Sequence, residues 1–423
     1  MFVSSLRLVN FRSYCDATAS FGAGLNVVVG QNAAGKTNLL EGAWFALRGS
    51  SPRTRREEKL ITWGERFTRV ELELDGPAAG PQAVEVAYAP GQGKRARWNG
   101  VEVASQDDLR GRTQVFIFVP ESLLLVKGSP ARRRAHLDAF AAALDPQYAA
   151  AARELQTALR QRNAQLLAVR NGAPVTSLDP WDVQFTRAAA ELGRRRRDVV
   201  GELRGRFAAA ASGLAPEGNN FTLELVSQLA GVGYDDGALL DELRARRPGE
   251  TGRGLSLFGP HRDDLKFLEV DVATGLDGVE VADAAEATVP AATIVGPACE
   301  PIDLPRGGRD LRLFGSQGEQ RAAVLALLLA EQELATARTG EKGTLFLDDV
   351  MSELDGARRR LLVRQLTFAG QAIITTTDRH YFTEDELDQA TVIELPLTGS
   401  LAAGAVAPTT DAAGPAPPRV DAL

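Results

Sequence analysis

The stretch Gly30-Gln31-Asn32-Ala33-Ala34-Gly35-Lys36-Thr37 decides how this chain is read. Two glycines at fixed spacing, followed by Lys and Thr, make a phosphate-loop pattern. Just before it, Leu25-Asn26-Val27-Val28-Val29 reads as a short buried strand, and just after it Asn38 to Leu47 is apolar enough to open a helix. Strand, glycine loop and helix in that order give the pattern a physical meaning. Glycines let the backbone fold tightly, so that successive N–H groups converge on phosphate oxygens. The helix N-terminus adds partial positive charge at the same place. Lys36 supplies a full charge for the β- and γ-phosphates of ATP, and Thr37 a hydroxyl for Mg2+. Gln31, Asn32, Ala33 and Ala34 lie within the loop and Asn38 follows it, so residues 30–38 are the expected nucleotide contacts.

A phosphate loop needs an acid that holds magnesium. Thr344-Leu345-Phe346-Leu347-Asp348-Asp349 supplies one, an apolar strand ending in two carboxylates. Asp348 is the expected magnesium acid, and Asp349 is placed to orient or deprotonate the attacking water. Adjacent carboxylates repel and raise one pKa, which favours proton acceptance. Ahead of this strand stands Phe314-Gly315-Ser316-Gln317-Gly318-Glu319-Gln320-Arg321, followed by a long apolar helix. Ser316 and Glu319 make a capping box at the helix start. That accounts for two residues and leaves Gly318 and Gln320 without a reason. A Ser-Gly helix start is also a phosphate-binding device, and the two roles are compatible. Gln371-Ala372-Ile373-Ile374-Thr375-Thr376-Thr377-Asp378 reads as a further core strand. Ligands of open α/β sheets lie at the carboxyl ends of such strands, so the ends after Val29, Leu347 and Ile374 are expected to converge on one nucleotide.

Composition bounds the rest. The 423 residues are 44% hydrophobic and 24% charged, an ordinary globular balance that leaves room for one large or two to three ordinary domains. Cys15 and Cys299 give neither a disulfide framework nor a zinc spacing, which fits a reducing cytoplasm. No apolar run has the length of a membrane span, and the N-terminus lacks the pattern of a secretory signal. The net charge of −7 argues against a general nucleic-acid coat, yet the basic residues cluster. Arg53, Arg55, Arg56 and Lys59 follow the first helix, and Arg132 to Arg134, Arg194 to Arg197, and Arg244 with Arg246 and Arg247 form three further groups. Local fields count for more than the total when a polyanion binds, although four consecutive arginines on a helix point nearly all round.

The first 120 residues alternate as half-buried strands at 2–10, 67–74, 84–89 and 95–103, with Asn99-Gly100 as a tight turn. Then the pattern changes. Asp145-Pro146 opens a helix running to about Arg170 and ending at Asn171-Gly172, and Asp179-Pro180 opens another running to about Ala211 and ending at Ser212-Gly213. Asp at the cap, Pro at the first helical position and Gly past the end are the expected punctuation. A short loop joins the two helices, which predicts an antiparallel arm inserted into an α/β domain. The expected division is residues 1–125 as the N-terminal part of the ATPase lobe, 126–250 as the arm, and 251–398 as the C-terminal ATPase part. Residues 399–423, rich in Ala, Gly, Pro and Thr, are expected to be a disordered tail. Residues 268–310 show no clear period and are left between a β-hairpin and a loop excursion.

Several stretches together resemble the ABC-type ATPase heads of chromosome-maintenance proteins, and within that class the RecF family of bacterial recombination mediators. They are Asn10-Phe11-Arg12-Ser13-Tyr14, the phosphate loop continuing to Glu41, Pro120 to Arg134, Tyr148, Gln161-Arg162-Asn163, Gly259-Pro260-His261-Arg262-Asp263-Asp264, Ser316 to Arg321, and Asp348-Asp349. The resemblance covers roughly residues 1–395. It implies an ABC-type P-loop head with an inserted antiparallel helical arm, and an ATP-driven homodimer in which Ser316, Gly318 and Gln320 complete the partner's nucleotide site. It implies Arg12 as a further nucleotide contact and Gln114 as a magnesium-facing residue. It also implies a clamp on duplex DNA or duplex–single-strand junctions, slow hydrolysis for release, and RecO, RecR and RecA as partners in gap repair. Arg53, Arg55, Arg56 and Lys59 are the expected DNA contacts. A monomeric P-loop phosphotransferase acting on a small substrate is the competing reading, since it needs the phosphate loop but not Ser316.

Overall fold

The structure is a computed structural model that describes residues 1–76, 80–215, 220–270 and 308–397. The 268–310 excursion and the tail beyond 398 therefore lie almost entirely outside the described residues. The chain forms two compact units, one from Met1–Leu124, Gly213–Pro216 and Val324–Leu423, the other from Leu125–Ser212 and Glu217–Ala323.

The first unit begins with strands β1 (Phe2–Phe11), β2 (Tyr14–Ser20) and β3 (Leu25–Val29), then helix α1 (Lys36–Arg48). Strands β4 (Thr68–Asp75), β5 (Gln82–Ala89), β6 (Gly93–Trp98) and β7 (Val101–Glu102) follow, with a short helix α2 (Gln106–Arg110) and strand β8 (Val115–Phe118). Asn99 and Gly100 both have positive φ, as the tight turn between β6 and β7 requires. The second unit carries α3 (Leu124–Lys127), α4 (Pro130–Leu144), α5 (Pro146–Arg170), α6 (Asp179–Gly213), β9 (Phe221–Val226), α7 (Asp236–Arg253), β10 (Asp264–Glu269), β11 (Arg309–Asp310) and α8 (Leu311–Phe314). Helix α9 (Gln317–Thr339) leads back to the first unit, which closes with β12 (Thr344–Leu347), α10 (Gly356–Ala369), β13 (Ala372–Thr376), α11 (Glu384–Asp388) and β14 (Thr391–Glu394).

Two sheets and one helix make the first core. An antiparallel sheet runs in the order β2-β1-β4-β5-β6-β7, and a fully parallel sheet in the order β14-β3-β13-β12-β8. Leu39, Leu40, Ala43, Phe45, Ala46 and Leu47 of α1 join one hydrophobic cluster with Leu6, Leu8, Val70 and Val86 of the first sheet and Val28, Phe346 and Ile373 of the second. Strands β12 and β13 are buried along their whole length because both of their faces are covered. Buried Gln371 ties the sheets together. Its amide donates to the carbonyls of Val3 and Gly22, and its oxygen accepts from the Val3 N–H and the Thr344 hydroxyl.

In the second unit, α5 and α6 form the predicted antiparallel hairpin, 25 and 35 residues long. Asp145 caps α5 by accepting from the Gln147 N–H, with Pro146 at the first helical position. The hairpin encloses a polar core. Arg162 is fully buried and donates to Asp182 at 2.7 Å, to Glu250 at 2.5 Å and to the Ser256 hydroxyl at 2.7 Å. Arg196, also buried, pairs with Asp138 and Asp263. Arg133 pairs with Asp264 through two bonds. Three of the arginine clusters thus send a member inward: Arg133, Arg196, and Arg247, which pairs with Asp179 and Asp182. Helix α7 runs through Pro248, and Glu250 in its last turn is anchored to Arg162. His261 is half-buried with its ring nitrogen 3.1 Å from the Ser256 carbonyl, and burial of the ring pushes its pKa down to about 4. It serves the core of this unit.

Candidate nucleotide site

Three strand ends meet where the sequence expects them. Register in the parallel sheet pairs Thr376 with Val29 and Leu347 with Ile374, so the loops after β3, β12 and β13 leave the sheet side by side. The Gly30 N–H donates to the Thr376 carbonyl. Gly30 and Gly35 are required by space: a Cβ at Gly30 would lie 2.9 Å from the Leu395 side chain, and one at Gly35, where φ is +100°, would lie 2.6 Å from the Tyr14 hydroxyl. Ala33 takes the left-handed conformation, φ 65°, within the loop. The Tyr14 hydroxyl donates to the Gly35 carbonyl at 3.1 Å and pins the loop from below.

Lys36 is buried, and its ammonium donates to the Gly30 and Gln31 carbonyls at 2.7 and 2.9 Å. Burial pulls its pKa down, while the charges of Asp349 and Asp348 oppose that pull. The Thr37 hydroxyl donates to Asp348 Oδ2 at 2.7 Å, which joins the phosphate loop to the acidic strand across 311 residues of sequence. Asp348 Oδ1 accepts from the Thr375 hydroxyl at 2.7 Å. The Asp348 carboxyl stands above its ordinary pKa chiefly through burial, with the Thr375 and Thr37 hydrogen bonds opposing and the charge of Asp349 adding less. Mutual repulsion of the pair, the cause expected from sequence, is thus a minor contribution. Asp349 takes a left-handed backbone, φ 50°, and its Oδ1 is buried without a hydrogen-bond partner among the described residues.

A second network surrounds the start of α1. Glu41, 1% exposed, accepts two bonds from Arg12, one from the Ser51 hydroxyl and one from Arg53. Arg53 also donates to Asn38 Oδ1, and Asn38 donates to the Ser13 hydroxyl. Arg53 therefore reaches the first turns of the phosphate-loop helix from the segment that follows it, and its positive charge acts on Asp348. Arg53, expected among the DNA contacts, is itself exposed. Arg55, Arg56 and Lys59 are exposed on the segment that follows. Sequence reasoning missed Glu41, Tyr14 and Thr375. A carboxylate one helical turn after Thr37, together with Arg12 in the turn between β1 and β2, was the available signal for Glu41.

Two expectations are corrected. Gln114 does not face the magnesium position. Its carbonyl accepts from the Thr344 N–H, and Thr344 pairs with Val115, so it precedes the amino ends of β8 and β12. The acids lie at the carboxyl ends, about 13 Å away at 3.3 Å per residue. Gln320 does not present its amide to a ligand either. It is buried, and Nε2 donates to the Leu311 and Gly315 carbonyls, which fixes the turn ahead of α9. Ser316 is exposed and forms the expected capping box, its hydroxyl accepting from the Glu319 N–H and the Glu319 carboxylate accepting from the Ser316 N–H. Gly318 lies half-buried in that first turn. His380 sits exposed in a short turn, where its N–H donates to Asp378.

The residues fit ATP with magnesium. The loop turns tightly at Gly30 and Gly35, where a side chain would strike Leu395 or Tyr14, and holds a buried cation, Lys36, at its floor. Thr37 and Asp348 put two hard oxygens together. Among the described residues no group of three or more His, Cys, Asp or Glu side chains can hold a metal alone. Two protein oxygens suit a magnesium ion that takes its other ligands from phosphates and water.

A parallel sheet with a phosphate loop and acidic strand at its carboxyl end, an antiparallel sheet beside it and a helical hairpin in a second unit define an ABC-type P-loop ATPase head. The sequence matches the AAA domain family over residues 5–123. It is 32% identical over 406 residues to the DNA replication and repair protein RecF of Halalkalibacterium halodurans, covering 93% of this chain and 98% of the relative. It is 35% identical over 387 residues to RecF of Acidothermus cellulolyticus, covering 89% and 94%. A solved structure of the recombination mediator protein RecF-ATP in the RecFOR pathway superposes with a TM-score of 0.71 at 26% identity, covering 90% of this chain and 93% of that one. The Smc head domain of Pyrococcus furiosus shares the fold alone, with a TM-score of 0.52 at 15% identity over 94% of each chain. The chain belongs to the RecF family of DNA replication and repair proteins. Family membership sets aside the small-substrate phosphotransferase.

Proposed function

We propose that this chain is an ATP-gated DNA clamp whose slow hydrolysis acts as a release timer. The observation that carries the reading is the direct Thr37–Asp348 bond at the end of the parallel sheet, beside buried Lys36. Lys36 and the loop N–H groups of residues 30–38 bind the phosphates, with Arg12 as a further contact. Thr37 and Asp348 hold Mg2+, which supplies charge neutralisation at the phosphates when bound. Asp349, with its uncommitted buried oxygen, orients the attacking water.

Ser316 and Gly318 complete the nucleotide site of a second copy. Exposed Ser316 supports this, as do Leu313 and Phe314 immediately ahead of it, 70% and 64% exposed. Two large apolar side chains beside an exposed helix start suit a surface that another protein covers. Arg55, Arg56 and Lys59 contact the DNA backbone, and Trp63 in the same segment, 89% exposed, offers a stacking face to an unpaired base at a junction. RecO, RecR and RecA are the partners this reading implies. No helix among the described residues is long and apolar enough to cross a membrane.

The test is DNA binding to gapped and duplex substrates with ATP, with ADP and without nucleotide. The reading requires ATP-dependent affinity that falls steeply with salt. Affinity indifferent to nucleotide would contradict it.

A further inference from the structure

Thr375 stands near the carboxyl end of β13 and is fully buried. Its hydroxyl donates to Asp348 Oδ1 at 2.7 Å and accepts the main-chain N–H of Asp349 at 2.9 Å. One side chain therefore grips both members of the acid pair, the first by its carboxylate and the second by its backbone. Thr37 takes the other Asp348 oxygen, so two threonine hydroxyls fix the orientation of that carboxylate.

Asp349 has φ 50° and ψ 28°, a left-handed conformation that residues bearing a Cβ adopt rarely. The N–H held by Thr375 belongs to this same residue. Its Oδ1 is buried and has no hydrogen-bond partner among the described residues, and its charge reaches Lys36 more strongly than that of Asp348 does. A hydroxyl meets these demands because it donates and accepts at once. Valine has the same shape and does neither.

We propose that Thr375 is a positioning residue for ATP hydrolysis: it fixes the left-handed turn at Asp349 and the orientation of Asp348, so that the free Asp349 oxygen stays directed at the attacking water. This rests on the reading of Asp348 and Asp349 as magnesium acid and water-orienting acid. Loss of the hydroxyl loosens the acid pair while the phosphate loop, which Thr375 does not touch, keeps its nucleotide contacts.

The experiment uses two near-isosteric pairs in the full chain, with kcat and ATP affinity measured separately. Thr375 against Thr375→Val compares side chains of one shape with and without the hydroxyl. Thr375→Ser against Thr375→Ala makes the same comparison with the methyl group already gone, and keeps the test intact should valine disturb folding. Thr375→Val and Thr375→Ala are expected to lose about tenfold to a hundredfold in kcat, the scale of a misplaced reacting group. Their ATP affinity, measured without magnesium so that it reads the phosphate loop alone, stays within about threefold of the native chain, and Thr375→Ser retains kcat within the same margin. Equal kcat for threonine and valine, or for serine and alanine, overturns the proposal. So does a loss of magnesium-free ATP affinity as large as the loss of kcat. Asp349→Asn separates this failure from failure of the underlying reading. If that variant hydrolyses ATP as the native chain does, the acid-pair reading falls and the proposal falls with it.

Discussion

Replacing Arg162 with leucine tests whether the arginine motifs of the arm are structural. Arg162 has no exposed surface and makes three charge-assisted bonds, to Asp182, Glu250 and Ser256. Leucine fills much of the volume of the stem and leaves those groups behind. Asp182 keeps Arg247, and Glu250 keeps the Leu257 N–H at 2.7 Å. Glu250 is then a buried carboxylate without a cation. Breaking a buried pair by removing one partner costs about 3–5 kcal/mol. At about 4 kcal/mol the opening equilibrium of this unit rises roughly a thousandfold. Hydrogen exchange followed by mass spectrometry reads that locally, through the amides of α5 and α6. Their protection is expected to fall by about that factor, while β3, β12 and β13 stay protected. Adding Glu250→Gln, which removes the stranded charge, should restore part of the loss. At a temperature where Arg162→Leu remains folded, the salt dependence of DNA binding should be unchanged. A change in protection below about tenfold would refute the account of the buried ion pairs. A shallower salt slope would show that Arg162 meets phosphate.

Thr37→Val should weaken magnesium-dependent ATP binding at least about tenfold and leave binding without magnesium little changed, since it removes a metal ligand and not a phosphate contact; titration calorimetry with and without the metal checks this. His261 keeps a neutral ring as pH falls, because its folded pKa is about 4 and its unfolded pKa 6.5. The unfolded chain takes the proton first, so stability is full above pH 6.5 and declines by up to about 3 kcal/mol as pH falls toward 4. Denaturant melts of His261→Asn across that window should show a flatter profile. Changing Arg55, Arg56 and Lys59 together to alanine should reduce the slope of log affinity against log salt by about 0.9 for each phosphate of duplex DNA that is no longer neutralised. An unchanged slope places the DNA elsewhere.

Much of the nucleotide site is legible in the sequence because its parts are local. Strand, glycine loop and helix announce themselves between Leu25 and Leu47, and the double acid ends a visibly apolar strand. The arm was legible too, since Asp-Pro starts and glycine stops bound α5 and α6. Helix α4 is less legible although Ser129-Pro130 opens it, because its arginines read as a solvent-facing basic run whereas Arg133 is a buried partner of Asp264. Gln114 could have been rejected on chain direction alone, as it precedes β8 while ligands gather where parallel strands end. Gln320 could not, because nothing in a sequence tells whether an amide at a helix start turns outward or back to the carbonyls behind it. Thr375 belongs to the same kind. It was visible as the end of a strand, but its grip on Asp348 and Asp349 depends on the pairing of β12 with β13.

The central claim is that ATP brings two copies together, and solution mass tests it most directly. Light scattering of the Asp349→Asn variant, chosen to slow hydrolysis, is compared with ATP, with ADP and without nucleotide. The account predicts a mass near 45.2 kDa without nucleotide or with ADP, and twice that with ATP. It also predicts that Ser316→Arg and Phe314→Ser, both at exposed positions ahead of or at the start of α9, bind ATP but remain at the single-chain mass. A mass unchanged by ATP in the parent would contradict the composite site and leave Ser316 as a helix cap.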